Sequence, residues 1–396
     1  MILRMLAYFV PFAINFLSGG FFFITSYRFS EAGTSGVIVS SSVAAWGVSY
    51  CVISTLVGRI VRKNNVLPLI LAGGLTLILA STGFLVFDGL YTQLVWLVCS
   101  GIGAALFCTP FQLLAKEIES GSGNKKSGTV KATAFYTMTW SIGFASGPLA
   151  FAGFSVRGGF FITLLLASAV TLSVMMIAFI LRRKKAAADL EQADETADGT
   201  PAEMRYPEKS YNKLALLGWL VGGLGTVIIC QIRTMWPRLG VENEIPQFHI
   251  AYIMALVSYS QALTAFLLQW SKDWMYRKFP ALLMTAAAVL SLVLFLTGSG
   301  TAYFYPAAAL FGVYSGCFYF YLVYHSLAHP SRNKFFVAGN EVIVGVVSML
   351  SPLIGGVIVD KCGFTGAAFV FGIAVNILIF LAQMYILNPD KLAEGK

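Results

Sequence analysis

The residues of this sequence that carry chemistry are few, and they lie in apolar surroundings. Within FFVAGNEVIVGVVSMLSPLIGG, Phe335–Gly356, stand Asn340 and Glu341. A carboxylate in such a run can hold a proton or release it. Glu341, Gly345, Ser348, Pro352 and Gly355 recur at spacings of four and three, so they share one small, polar helix face, while Val, Ile, Met and Leu fill the others. On that reading Glu341 points into a bundle or a water-filled cavity. A charged side chain at the centre of a bilayer costs about 3 kcal/mol on insertion scales, so the few that persist tend to be functional. The alternative is an ion pair with Arg332 or Lys334, since Lys334 lies only about 10 Å away along a helix.

Other groups could bind a solute. Gln231 and Arg233 fall in IICQIRTMW. The planar guanidinium suits an anionic or hydroxyl-rich solute, or it can run out to the bilayer surface beside Trp236. Asn15, Gln112 and Gln261 are amides inside apolar segments. Tyr136 and Trp140 stand four apart and lead to Gly143 and Gly147, repeating in the first half the face that Glu341 begins in the second. Tyr314, Phe318, Tyr321 and His325 form a stripe at helical spacing. Aromatic faces beside amides suit sugars, nucleosides or other small polar organic solutes, although such a stripe also serves helix packing. The candidate solute-binding residues are therefore Asn15, Gln112, Tyr136, Trp140, Gln231, Arg233, Gln261, Tyr314, Tyr321 and Asn340, with Glu341 for proton exchange. His325 and His329 are spaced like helical metal ligands but lack an obvious third ligand, so neither a metal nor a cofactor is expected. There is no Ser/His/Asp set, no HExxH, no phosphate loop and no pair of carboxylates in an apolar segment. An enzyme is not expected.

The elements that position these residues follow from composition. The chain has 396 residues, 57% hydrophobic and 11% charged, where a soluble protein carries about 25% charged residues. A lipid bilayer is the solvent such a surface requires. About 20 apolar residues make one crossing. Twelve such segments are found, six between Leu6 and Leu181 and six between Leu214 and Leu387. They predict an all-α membrane protein of two six-helix bundles, residues 1–181 and 214–396. The stretch between them, residues 182–213, is basic, then acidic and alanine-rich, and is expected to be a mobile cytoplasmic linker. With both termini placed inside, most of the 27 lysines and arginines fall in inner loops, and only Arg28, Arg157, Arg238 and Lys361 in outer ones. The formal net charge of +9 thus reflects topology, and a nucleic-acid partner is not expected. The opening MILRMLAYFVPFAINF is read as a retained helix. The six cysteines contain no CxxC and lie almost wholly in apolar segments, as small core residues would.

The two halves resemble each other. NNVLPLILAGGL aligns with YRKFPALLMTAA, Pro68 matching Pro280; GIGAALF aligns with GVYSGCF; and GFASGPLAFAG aligns with SMLSPLIGG, Pro148 matching Pro352. Two repeated bundles joined by a polar linker are the build of a carrier that rocks around a central site.

Over its whole length the chain resembles the major facilitator superfamily. That family's loop after the second helix reads like G-x-x-x-D-R-x-G-R-K. GRIVRKNNV keeps Gly58, Arg62 and Lys63 but lacks the Asp and the second Gly, and QWSKDWMYRK after the eighth segment keeps Asp273, Arg277 and Lys278. The resemblance implies that Gly58, Arg62, Asp273 and Arg277 lock helix ends in one state and release them in the other. Gly143-x-x-x-Gly147-Pro148 is similar to the family's antiporter motif without its following Gly pair, and is read as close helix packing. The resemblance implies a secondary active transporter, working as a single chain in the inner membrane by alternating access. Glu341 and the polar aromatics point to proton-coupled symport of a sugar, nucleoside or organic acid. The alternative is a proton-coupled efflux antiporter for amphipathic compounds.

Overall fold

Long apolar segments become helices because lipid offers no partner for backbone N–H and C=O groups, and a helix satisfies them internally. The computed structural model describes residues 2–62, 64–87, 89–120, 125–191, 208–271, 273–298, 300–329 and 333–387. Within them the chain forms α1 (Ile2–Glu31), α2 (Gly36–Ile60), α3 (Val66–Val86), α4 (Thr92–Ser120), α5 (Lys125–Gly153), α6 (Val156–Glu191), α7 (Glu208–Glu242), α8 (Gln247–Leu267), α9 (Lys278–Thr297), α10 (Thr301–Leu327), α11 (Asn333–Cys362) and α12 (Ala367–Ile386). Two short 3-10 turns, Leu268–Trp270 and Asp273–Tyr276, lie between α8 and α9. No strand occurs among the described residues.

Eleven of these helices are long and apolar enough to cross a membrane. The other, α5, is diluted by threonine, serine and glycine, and it packs chiefly against α1 and α8 rather than facing outward. Helices α6 and α7 run further than apolarity alone predicts. The segment after Leu181 is rich in Ala, Arg and Lys, all strong helix formers, so α6 continues to Glu191, while α7 begins at Glu208. Residues 192–207 of the expected linker lie outside the described residues.

The packing follows the sequence repeat. Helix α1 meets α5 and α6 as α7 meets α11 and α12; α2 meets α4 as α8 meets α10; and α3 meets α4 and α6 as α9 meets α10 and α12. Helices α3, α6, α9 and α12 carry exposed apolar side chains, among them Leu79, Leu172, Leu283 and Leu381, as lipid-facing helices must. The halves join along two seams, α2 on α11 and α5 on α8, which the repeat relates to each other.

The α2–α11 seam is close because glycine faces it from both sides. A Cβ on Gly345 would lie 2.6 Å from the Cys51 Cα, and a Cβ on Gly47 would lie 2.6 Å from the Ser348 carbonyl carbon. Small residues let the two backbones touch. Gly143 and Gly147 do the same for α5, where a Cβ would run into the Phe12 and Phe16 carbonyls of α1.

Each end of the bundle has a polar tie between the halves. At the end remote from the chain termini, Asp360 of α11 caps α2: its Oδ1 accepts from the Gly36 N–H at 2.6 Å and its Oδ2 from the Val37 N–H at 3.0 Å. These are orphan donors of a helix start, where the macrodipole also favours an anion. Arg238 of α7 adds to it, with Nη1 3.8 Å from Asp360 Oδ1 and donating to the Thr34 carbonyl at 3.4 Å. At the other end the signs reverse. Lys116 of α4 donates from Nζ to the Leu327 carbonyl at 2.7 Å, placing a cation on the negative end of α10.

Two outcomes follow for the seam. Gly345→Leu forces α2 and α11 apart and should lower stability by about 1–3 kcal/mol, the usual range for overpacking, read as a drop in thermal midpoint in detergent; an unchanged midpoint would contradict the close approach. Asp360→Ala should lose about 1 kcal/mol, as for loss of a helix cap. Because Arg238 acts partly through Asp360, Arg238→Ala should cost less in the Asp360→Ala background than alone. Strict additivity in that double-mutant cycle would show the two to be independent.

Candidate functional site

Side chains from both halves surround a central cavity, the concave kind of place where small molecules bind. Helix α1 contributes Asn15, Ser18 and Phe22; α2 contributes Trp46 and Tyr50; α4 contributes Cys108 and Gln112; and α5 contributes Tyr136, Trp140 and Phe144. From the second half come Arg233 of α7, Tyr319 of α10 and Glu341 of α11.

Glu341 is 7% exposed, and its donors reach it from the opposite half. The Tyr50 hydroxyl donates to Oε2 and the Gln112 amide to Oε1. Gln112 Nε2 also approaches the Tyr136 hydroxyl at 3.4 Å. Burying an unpartnered carboxylate would be costly, and hydrogen bonds to charged groups contribute about 1.5–3 kcal/mol each. The position is set by the helices. One turn beyond Glu341, Gly345 brings α11 against Cys51, and Cys51 adjoins Tyr50. The pairing with Lys334 is not formed, and Arg332 lies outside the described residues.

Arg233 turns inward rather than to the surface. Its guanidinium lies over the Phe144 ring, 4.0 Å from the centroid, a cation–π contact across the two halves. It makes no hydrogen bond or ion pair with a described residue. Around the charges stands an aromatic wall. Trp46 stacks on Tyr50 with centroids 4.2 Å apart, Phe22 meets Trp46 edge-on at 5.5 Å, and Trp140 meets Tyr319 edge-on at 4.9 Å.

Of the residues expected from the sequence, Asn15, Gln112, Tyr136, Trp140, Arg233 and Glu341 share this cavity. Asn15 spends its Nδ2 on the Pro11 carbonyl at 2.9 Å. The others are placed elsewhere. Gln231 is fully buried and donates to the Ser351 carbonyl at 2.7 Å and hydroxyl at 2.9 Å, tying α7 to α11. Gln261 donates to the Ser141 hydroxyl at 2.6 Å, tying α8 to α5. Asn340 is turned to α10, accepting from the Ser326 hydroxyl at 2.8 Å. Tyr314 and Tyr321 are buried in the second half, Tyr321 against Trp274 and His325. Near the helix ends, Gly58 packs against Ala338, and Arg62 and Arg277 are exposed; the Asp273 side chain lies outside the described residues. His325 meets Tyr276, Tyr321 and Tyr324 edge-on while His329 faces Asn212 at 3.0 Å, so the two histidines diverge.

Sequence reasoning missed Tyr50, Trp46, Phe144 and Tyr319. A signal for two of them existed. Trp46 and Tyr50 are four apart in a segment of small residues, the same pattern as Tyr136 and Trp140.

No protein-family model matches the sequence, and neither does any curated protein. Solved structures do match. The nucleoside transporter NupG superposes with a TM-score of 0.66 at 14% identity, covering 98% of this chain and 100% of that one. A mutant form of NupG gives 0.62 at 14% identity, with 98% and 100% covered. The human organic anion transporter MFSD10 (TETRAN) gives 0.62 at 13% identity, covering 98% of this chain and 96% of that one. With twelve helices whose packing repeats after the sixth, and matches of this length to transporter structures, the chain has the fold of the major facilitator superfamily.

Proposed function

We propose that the chain is a secondary active transporter that carries a small polar organic solute together with protons, by alternating access around the central cavity. The observation that carries this reading is Glu341, a buried carboxylate held by Tyr50 and Gln112 from the other half of the molecule. A group that bridges both halves feels any rocking between them. When the halves separate on one side, Glu341 loses or exchanges its donors, and its proton can equilibrate with that side. The solute enters through the same cavity, so proton and solute are carried in one cycle. The neighbours with this fold carry nucleosides in one case and organic anions in another, both polar solutes. A cationic amphipathic efflux substrate would leave Arg233 without a counterpart. In this reading the protein works as a single chain in the inner membrane, with both termini cytoplasmic.

The test is solute movement in proteoliposomes, using a panel of sugars, nucleosides, organic acids and cationic dyes with an imposed pH gradient. Wild-type protein should accumulate a polar member of the panel when the gradient is present. Glu341→Gln keeps an amide acceptor and the cavity shape, so it should abolish gradient-driven accumulation while leaving solute exchange at equal pH. Undiminished gradient-driven accumulation in Glu341→Gln would remove that residue from coupling. Transport of the dyes alone would favour efflux. Tyr50→Phe removes one donor to Glu341 and should lower stability by about 1.5–3 kcal/mol, seen as a reduced thermal midpoint. Most of that loss should vanish in the Glu341→Gln background, and its persistence there would mean that Tyr50 acts elsewhere.

A further inference from the structure

The two charges of the cavity do not neutralise each other directly. Glu341 and Arg233 both line it, but they form no ion pair; the carboxylate is engaged by Tyr50 and Gln112, and the guanidinium by the face of Phe144. No described residue accepts a hydrogen bond from this guanidinium, whose N–H groups number up to five donors. A fork of that shape matches a carboxylate or phosphate bidentately. The other titratable groups on the cavity are Tyr50, Cys108, Tyr136 and Tyr319, whose ordinary ionisation lies above physiological pH.

From this arrangement we infer that the solute is a ring-bearing organic monoanion, bound through its anionic group at Arg233 and its ring against the aromatic wall, and carried with one proton on Glu341 in an electrically neutral complex. The inference rests on the transporter reading and adds the charge class and the stoichiometry. The charge balance explains why the two cargoes travel together. Before loading, the cavity holds one negative and one positive charge and sums to zero. With a proton on Glu341 and an anion on Arg233 it again sums to zero. With only the proton it is positive, and with only the anion negative. An uncompensated charge in a low-dielectric interior is costly, so the half-loaded forms are the ones disfavoured from passing through an occluded state. The proton comes from the side where solute binds and leaves to the side where it is released. Trp140 with Tyr319, and Trp46 with Tyr50, give faces on which a planar ring can lie.

The experiment uses matched pairs that differ by one charge but share a ring: nicotinate and nicotinamide, benzoate and benzyl alcohol, orotate and uracil. Uptake into proteoliposomes is measured with a pH gradient, with and without a potential of about 100 mV set by potassium and valinomycin. We expect at least one anion to accumulate and its neutral partner to move at least ten-fold more slowly. Arg233→Gln should reduce the anion's uptake at least ten-fold, and Arg233→Lys should restore part of it; both variants are first checked for the wild-type thermal midpoint. The potential should leave the accumulation ratio unchanged within about two-fold, whereas one uncompensated charge would shift it by about 50-fold at 100 mV. Accumulation of the neutral partner with Arg233→Gln still active would overturn the anion assignment and leave the transporter reading intact. Anion uptake that follows the potential would overturn the one-proton balance. Failure of the wild-type protein to move any member of this set or of the wider panel would count against the transporter reading itself, and the inference would fall with it.

Discussion

Glu341 belongs to the second half of the chain, but both of its hydrogen-bond donors belong to the first. That exchange is the constraint on which the centre of the molecule depends. A carboxylate held at 7% exposure needs donors at fixed positions, because burial takes away most of the solvent that could replace them. Tyr50 can serve only if α2 lies directly on α11, and that contact exists only because Gly47 and Gly345 remove the side chains that would hold the backbones apart. Gln112 can serve only because α4 packs against α2 and reaches the same point. The tight α2–α11 seam and the buried acid are therefore one feature. The ties at the two ends, Asp360 on the start of α2 and Lys116 on the end of α10, flank that feature, one joining α11 to α2 and the other α4 to α10.

What the sequence made legible divides along a physical line. Helices were legible because lipid imposes a length and an apolarity on each crossing; α5, also found, is the one diluted by threonine, serine and glycine. The inward face of α11 was legible from the spacing of Glu341, Gly345 and Ser348. What meets that face was not. Periodicity tells which residues share a side of a helix, but not which helix that side will touch, and Tyr50 is 291 residues from Glu341. The stripe of Tyr314, Tyr321 and His325 shows the same limit from the other direction. Its spacing is as regular as that of Tyr136 and Trp140, yet it is directed into the packing of the second half, where Trp274 and Tyr276 cover it. Gln231 and Gln261 are amides with the composition of ligand groups that instead join helices, each to a serine of a neighbour. Polarity inside an apolar segment marks a partner, and the partner can be protein as well as solute.

The internal repeat explains the frame and, by its breaks, the chemistry. Aligning the two halves on Pro148 and Pro352 sets the polar end of the α11 face beside the α5 positions that begin with Tyr136. Tyr136 and Glu341 line one cavity, and Gln112 touches both. Two similar helices thus present a phenol from one side and a carboxylate from the other. A symmetric pair of carboxylates would repel and would leave the cavity with two negative charges; a symmetric pair of tyrosines would have no proton to exchange near neutral pH. The cations break the repeat as well. Helix α7 brings Arg233 to the cavity, while α1, its counterpart, brings Asn15, Ser18 and Phe22. Helix α8, the counterpart of α2, contributes nothing to the lining and spends Gln261 on the α5 seam. Equivalent scaffolds with unlike side chains let the halves move as similar bodies while concentrating one acid and one cation at their meeting point. The sum of those two charges is zero only while both are in place, so removing either one alters the cost of carrying the other.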